Sequence, residues 1–416
     1  MSKRISLGWF VLAAGFAVMI VGYAMRNSFT VFYPVIVADF GWSRGITAIM
    51  YSITMLCYGF VAPVAGGLVD RFDPRIVLSI GGLIVGGGMA LCSITTETWH
   101  FYLFYGVLVA TGLSLIGMTP LSTIITDWFP RHRGMVFGLL GSGFGVSLVS
   151  APAFQYLISR FGWQTAYVVL GASAPAMIVP LALVFMKRHR ESAGTSTVAQ
   201  NNVSDGIRGR VHPADSHGEW NLRKALKTNS YRLFLLISIC NMGIAQQMVI
   251  AHEVYLLQDI GYAPMTAATI FGVFGICLAV GNLLSWLSDR FGRTQVFVIA
   301  CLMSSFGIGL MLLMQNSAGG IAPYILAGST GWGLGMAGPT CLAAVADRFH
   351  GRDYGSIQGT IILACSTGGA VGPWLGGMLH DVTGDYQIAL TIAVAFIAAS
   401  AALMWLIRPG HGDVPA

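Results

Sequence analysis

One arginine, Arg26, stands in a run from Ile5 to Val37 that is otherwise apolar or only mildly polar. An ionised side chain at such a depth is costly and marks a functional site by default. A guanidinium is a rigid fork of donors that matches a carboxylate, so the chemistry on offer is anion binding. Tyr23, Arg26, Thr30 and Tyr33 recur at i, i+3, i+7 and i+10, one face of a helix, and Asn27 adjoins them. A second polar group lies 220 residues on. Gln246 sits at the position equivalent to Arg26, Gln247 follows it, and Glu253 returns to the same face with His252 beside it. We expect Arg26, Asn27, Tyr23, Thr30, Gln246 and Gln247 to bind substrate, and His252 or Glu253 to carry a proton. Plainer readings stand beside these. Arg26 can be a structural counter-ion for Glu253, His252 a packing residue, and the glutamines interhelical hydrogen-bond glue.

The elements that position these residues are membrane helices. The chain of 416 residues is 55% hydrophobic and 10% charged, where soluble domains carry about 25% charged residues. Its mean hydropathy is +0.71. Twelve apolar runs, each long enough to span a bilayer, are predicted at 6–37, 44–67, 76–95, 101–126, 134–158, 163–186, 231–258, 264–287, 295–314, 320–346, 355–379 and 385–407. The first is too long, and too polar near its end, for a cleaved signal peptide. Of the 23 basic residues, all but Arg26, Arg44 and Arg160 fall at the termini or in even-to-odd loops. Under the positive-inside rule both termini are cytoplasmic. The net charge of +6 is thus a topology signal, and no nucleic-acid partner is expected. The seven cysteines lie in predicted spans without metal-ligand spacing, and read as packing thiols. No metal or cofactor is expected, and no enzyme signature is visible: "GLLGSG" (138–143) follows no strand and is not a nucleotide loop.

The chain divides into an N-terminal bundle (1–186), a polar, basic linker (187–230) and a C-terminal bundle (231–416) with a short tail. The flanking sequences repeat. Asp39 and Gly41 match Asp259 and Gly261, Asp70 matches Asp289, Gly134 matches Gly355, and Gly162 matches Gly384, all at offsets of 219 to 222. Six helices repeated in parallel is the major facilitator architecture. The loop "GGLVDRFDPR" (66–75) and its counterpart "SWLSDRFGR" (285–293) resemble that superfamily's loop signature. The resemblance implies a conformational lock made by Asp70, Arg71, Arg75, Asp289, Arg290 and Arg293. The first copy departs from the pattern at Asp73-Pro74. Topology anchoring is the plainer role of these charges.

A finer resemblance rests on "RNSFTVFYPVIVADFGWSR" (26–44), "DWFPRHRGMVFGLLGSGFGV" (127–146), "AHEVYLLQDIGY" (251–262) and "GPWLGGMLHDVTGDY" (372–386). These are similar to the bacterial branch of the monocarboxylate porter and oxalate/formate antiporter families. The resemblance implies transport of small organic anions, with protons or by exchange. It places Arg26 at the basic substrate-binding position of helix 1. Many members carry an arginine on helix 8, and the oxalate exchangers a lysine on helix 11. Here 266–287 and 355–379 are uncharged. One cation at the site favours a monoanion over a dicarboxylate.

The expectation is therefore an all-α integral membrane protein of twelve helices in two six-helix bundles. It would be a multi-pass, monomeric protein of the cell inner membrane. Its function would be secondary active transport of a monocarboxylate, with proton coupling. The alternatives are an efflux antiporter for an amphipathic compound and an anion exchanger of the oxalate/formate type.

Overall fold

The structure, a computed structural model, describes residues 2–126, 128–129, 133–186, 220–313, 320–349 and 354–407. Most of the predicted linker and the tail after Ile407 lie outside the described residues, as does the side chain of Asp70. The described residues are helical almost throughout. Ten helices are long and apolar enough to cross a membrane. One of them, Leu139–Phe185, has 47 residues, about 70 Å at the usual helical rise, more than twice a bilayer core. Gly162, with φ 79° and ψ 162°, breaks it into two arms. A further long helix, Ala322–Arg348, is rich in glycine and alanine.

The repeat is visible in the backbone. Gly41 and Gly261 take φ of 65° and 103°, and Gly162 and Gly384 take 79° and 82°. Each pair occupies the left-handed region open mainly to glycine, at positions the repeat makes equivalent. Helix starts follow from local chemistry. Ser43 accepts a hydrogen bond from the Ile46 N–H to begin Arg44–Arg71, and Asp73 does the same for Arg75 at the start of Pro74–Cys92.

Two seams join the first repeat to the second. In one, Leu139–Phe185 meets Pro264–Leu284. A Cβ on Gly145 would lie 2.5 Å from the Ala279 nitrogen, and one on Gly275 would lie 2.4 Å from Leu148 Cβ. In the other, Arg44–Arg71 meets Tyr354–Thr383, where a Cβ on Gly59 would lie 2.7 Å from Ser366 Cβ. Without water to drive apolar surfaces together, small residues let membrane helices approach until their backbones touch.

The two helices bearing the candidate site are both irregular in their middle. Gly8–Phe40 is interrupted at Ser28, between Ser2–Asn27 and Phe29–Phe40. The Ser28 hydroxyl turns back to donate to the Met25 carbonyl at 2.8 Å. The Tyr105 hydroxyl reaches across to the carbonyls of Met25, at 3.2 Å, and Arg26. In the second repeat a π-helical segment, Ser238–Ala245, runs into Gln246. Such local departures from the α-helical ladder recur at functional sites.

Candidate functional site

Arg26 lies two residues before the Ser28 break, with 7% of its surface exposed. Its guanidinium carbon is 4.9 Å from the ring centre of Tyr23, 5.0 Å from that of Phe144 and 5.9 Å from that of Tyr58. Aromatic faces support a cation without neutralising it. Among the described residues Arg26 makes no ion pair, and its Nε has no hydrogen-bond partner. A small cavity, with about 10 Å³ of room for a water-sized sphere, opens beside it, lined by Tyr23, Tyr58, Leu113 and Ile116 among others. The arrangement is a bare, oriented cation in an aromatic enclosure, which is chemically a receptor for one anion.

Of the other expected residues, only Tyr23 lines this cavity, and the rest make contacts of their own. Asn27 is buried and donates to the Ser147 hydroxyl at 3.2 Å, while its Oδ1 has no partner among the described residues. The Thr30 hydroxyl donates to the Ile250 carbonyl at 3.0 Å, tying the first repeat to the second. Gln247 is buried and accepts from the Tyr51 hydroxyl at 3.0 Å. Tyr51 is also an electrostatic neighbour of Arg26, so it links the arginine to the glutamine across the two repeats. Gln246 is half-buried.

His252 and Glu253 are buried in a second place. Glu253 lines a cavity with His252, Met311, Tyr386 and Leu390. Neither of its carboxyl oxygens has a hydrogen-bond partner among the described residues. The counter-ion role weighed for it does not appear, because its neighbours come from the second repeat and not from Arg26. His252 donates or accepts at both ring nitrogens, to the Pro373 carbonyl at 2.8 Å and the Tyr386 hydroxyl at 3.1 Å.

Tyr386 leads to a cluster that sequence reasoning missed. Arg44 reaches from the start of its helix into the second repeat. It holds Asp259 in a forked pair, Nη1 to Oδ2 at 2.5 Å and Nη2 to Oδ1 at 3.0 Å. Its Nη1 also donates to Tyr386 at 3.1 Å, and its guanidinium lies 3.6 Å from the ring centre of Tyr255. Asp381 accepts from the backbone N–H groups of Arg44 at 2.9 Å and Gly45 at 2.7 Å. The signal in the sequence was the break in charge pattern: Arg44 and Arg160 alone stand in the basic-poor loops, with acidic residues at the matching helix ends. Tyr51, Tyr58 and Phe144 carried no such signal.

Of the residues expected to form a charge lock, the Asp70 side chain lies outside the described residues, and the others make the following contacts. In the second copy, Arg293 joins Asp289 by an ion pair, Asp347 at 2.8 Å and the Ser288 hydroxyl at 2.5 Å. Arg290 lies 5.9 Å from the ring centre of Phe291. In the first, Asp73 caps a helix, Arg75 supplies the capped N–H, and the Arg71 side chain is exposed.

The comparisons agree with this architecture. The Major Facilitator Superfamily pattern matches residues 14–334 and 233–415. The chain is 26% identical over 400 residues to monocarboxylate transporter 13 of Rattus norvegicus, covering 95% of this chain and 88% of that protein. It is 26% identical over 406 residues to the uncharacterised MFS-type transporter YcxA of Bacillus subtilis (strain 168), covering 95% and 94%. In fold it is similar to a bacterial homologue of the human lysosomal transporter Spinster in an inward-facing, unoccupied conformation. The TM-score there is 0.71 at 16% identity, over 96% and 97% of the two chains. Membrane-spanning helices in number, an internal repeat and a match over nearly the whole length converge: the chain belongs to the Major Facilitator Superfamily, as a multi-pass membrane transporter, not an enzyme, resembling the monocarboxylate porter branch.

Proposed function

We propose that this transporter moves a small monocarboxylate together with a proton, by alternating access between two bundles. The observation that carries the reading is Arg26, a buried cation with no carboxylate paired to it among the described residues. Leaving such a charge unpaired costs several kcal/mol, and a bound carboxylate relieves that cost. Tyr23, Asn27, Gln246 and Gln247 complete the polar surroundings. Thr30 contributes by holding the two repeats together at that depth. The absence of a second cation on 266–287 and 355–379 favours a monoanion. Relatives named as monocarboxylate transporters support the same class.

The architecture we propose is twelve spans, obtained by counting the two arms about Gly162 separately and adding Ala322–Arg348 to the apolar helices. The bundles are 1–186 and 231–416, joined by 187–230, with both termini cytoplasmic in a cell inner membrane, as a monomer. Asp70, Arg71, Arg75, Asp289, Arg290 and Arg293 then form the cytoplasmic gate, and the Arg44 cluster lies on the outer side. With the outer cluster closed, the state described is inward-facing.

The test is uptake of radiolabelled lactate, acetate and pyruvate into proteoliposomes under an imposed inward proton gradient. A charge-assisted hydrogen bond is worth about 1.5–3 kcal/mol, so Arg26→Gln should weaken apparent affinity by about 10- to 100-fold. Arg26→Lys should recover part of it, since a lysine keeps the charge but loses the fork. Uptake in Arg26→Gln equal to the parent would remove the anion site. Faster exchange with preloaded oxalate than gradient-driven uptake would replace symport by exchange.

A further inference from the structure

The Arg44 cluster and His252 form one directional hydrogen-bond chain. The Pro373 carbonyl only accepts, so its 2.8 Å contact with His252 Nε2 places the ring proton on Nε2. Nδ1 is then an acceptor, and the Tyr386 O–H donates to it at 3.1 Å. The Tyr386 oxygen in turn accepts from Arg44 Nη1 at 3.1 Å. Arg44, Tyr386, His252 and Pro373 are thus connected in a single sense, from the first repeat into the second. The ring is fixed in place: a Cβ on Gly376 would lie 2.8 Å from its Nε2. The Tyr33 ring packs edge-on to it at 5.5 Å.

We infer that His252 is the proton-binding residue of the transport cycle, and that its protonation releases the Arg44 lock through Tyr386. The inference rests on the proton coupling proposed above and chooses between its two candidates. A proton added at Nδ1 turns that atom from acceptor into donor. The Tyr386 O–H must rotate away, and its oxygen then faces two cationic donors, the imidazolium and Arg44. The neutral tautomer fits the closed lock, and the imidazolium does not. By reciprocity, a proton on His252 favours the open lock to the same degree that opening favours the proton. No bond other than N–H and hydrogen bonds changes.

The other titratable groups around the ring bear on the sign. Glu253 and Tyr255 lie near it on its own helix, with Asp259 two turns on. Arg44, His380 and Asp381 act on it electrostatically from the two neighbouring helix ends. Glu253 lines a cavity with His252 and Tyr386 but makes no hydrogen bond to either among the described residues, so it stands outside the chain from Arg44 to Pro373. His380 Nε2 approaches Asp259 at 3.7 Å, so protonating it adds an attraction to the closed cluster. His252 and His380 therefore give opposite responses to acid.

The readout is the lock itself. The amide hydrogens of Arg44 and Gly45 are held by Asp381, so hydrogen exchange of a peptide spanning 41–50 reports its opening. The full chain in lipid nanodiscs, without substrate, is compared at about pH 8 and about pH 5.5, either side of the ordinary histidine value. After correction for intrinsic exchange, we expect opening to rise about tenfold in acid, as one unit of coupling requires. His252→Gln keeps a donor and an acceptor but cannot titrate, and should stay protected at both pH values. Tyr386→Phe keeps His252 and cuts the chain, and should lose the acid response as well; it carries the test if His252→Gln does not fold. A response that survives in His252→Gln, that disappears in Glu253→Gln, or that runs in the opposite direction overturns the inference. Arg26→Gln should lose transport and keep the acid response, which separates failure of the carboxylate reading from failure of this one.

Discussion

Arg26 keeps its charge available because its neighbours are rings and not carboxylates. Cys365, half-buried, is close enough to be an electrostatic neighbour of it. An anionic methanethiosulfonate reagent should therefore be drawn to this thiol and block transport. Substrate should slow the modification, and Cys365→Ser should resist it; inactivation rates with and without substrate check both points. Arg26 was legible in the sequence because a charge in an apolar run is conspicuous. Its enclosure was not, because Tyr51, Tyr58 and Phe144 look the same whether they pack lipid-facing or face a cation. Arg44 was legible only as a loop charge, since nothing in sequence shows that Asp259 and Asp381, more than 200 residues away, meet it. Thr30 shares a helical face with Arg26 by spacing, and its hydroxyl donates to the Ile250 carbonyl, a partner that no sequence pattern announces.

At the scale of helices, apolar run length located nearly every element, and the repeat located their pairing. The runs 134–158 and 163–186 are two helices that meet at Gly162, where a positive-φ glycine takes a non-helical conformation and turns the backbone. The break at Ser28 had no sequence signal of comparable strength, because it is set by Tyr105 donating to carbonyls from another helix. Tyr105→Phe removes that donor and leaves the carbonyls less satisfied, which should cost about 1–3 kcal/mol and lower the thermal midpoint in detergent while leaving the Arg26 side chain in place. The glycine seam makes a sharper prediction. Gly275→Leu inserts a side chain where even a Cβ meets Leu148 at 2.4 Å. Backbones in contact must separate, so this seam should open. Transport should fall at least about tenfold, as a shift of 1.4 kcal/mol in the state balance implies, and a spectroscopic distance between the repeats should lengthen.

For the whole molecule, the closed cluster at Arg44 is one side of a balance between two states. The Arg44–Asp259 pair is partly exposed, with side chains 14% and 36% accessible, and by itself is worth about 1 kcal/mol or less. Arg44→Gln should therefore shift the population toward the open form without unfolding the protein. Exchange of Arg44 and Asp259, as the double variant Arg44→Asp with Asp259→Arg, should restore part of the closed population, read by spin-label distances across the cluster. The lasting consequence comes from Asp381. The helix that begins at Arg44 has its first amides satisfied in part by a carboxylate borrowed from the other repeat. When the repeats part in the proposed cycle, Ser43 still caps the Ile46 N–H, but the amides of Arg44 and Gly45 lose Asp381 and must find new acceptors. Only liquid water can supply them at once and without a fixed geometry. The separation is thus inexpensive at a wetted rim and prohibitive within hydrocarbon. On the proposed cycle, hydration of the parted rim is therefore a further contribution, beside the Arg44 ion pair, to how readily the repeats separate.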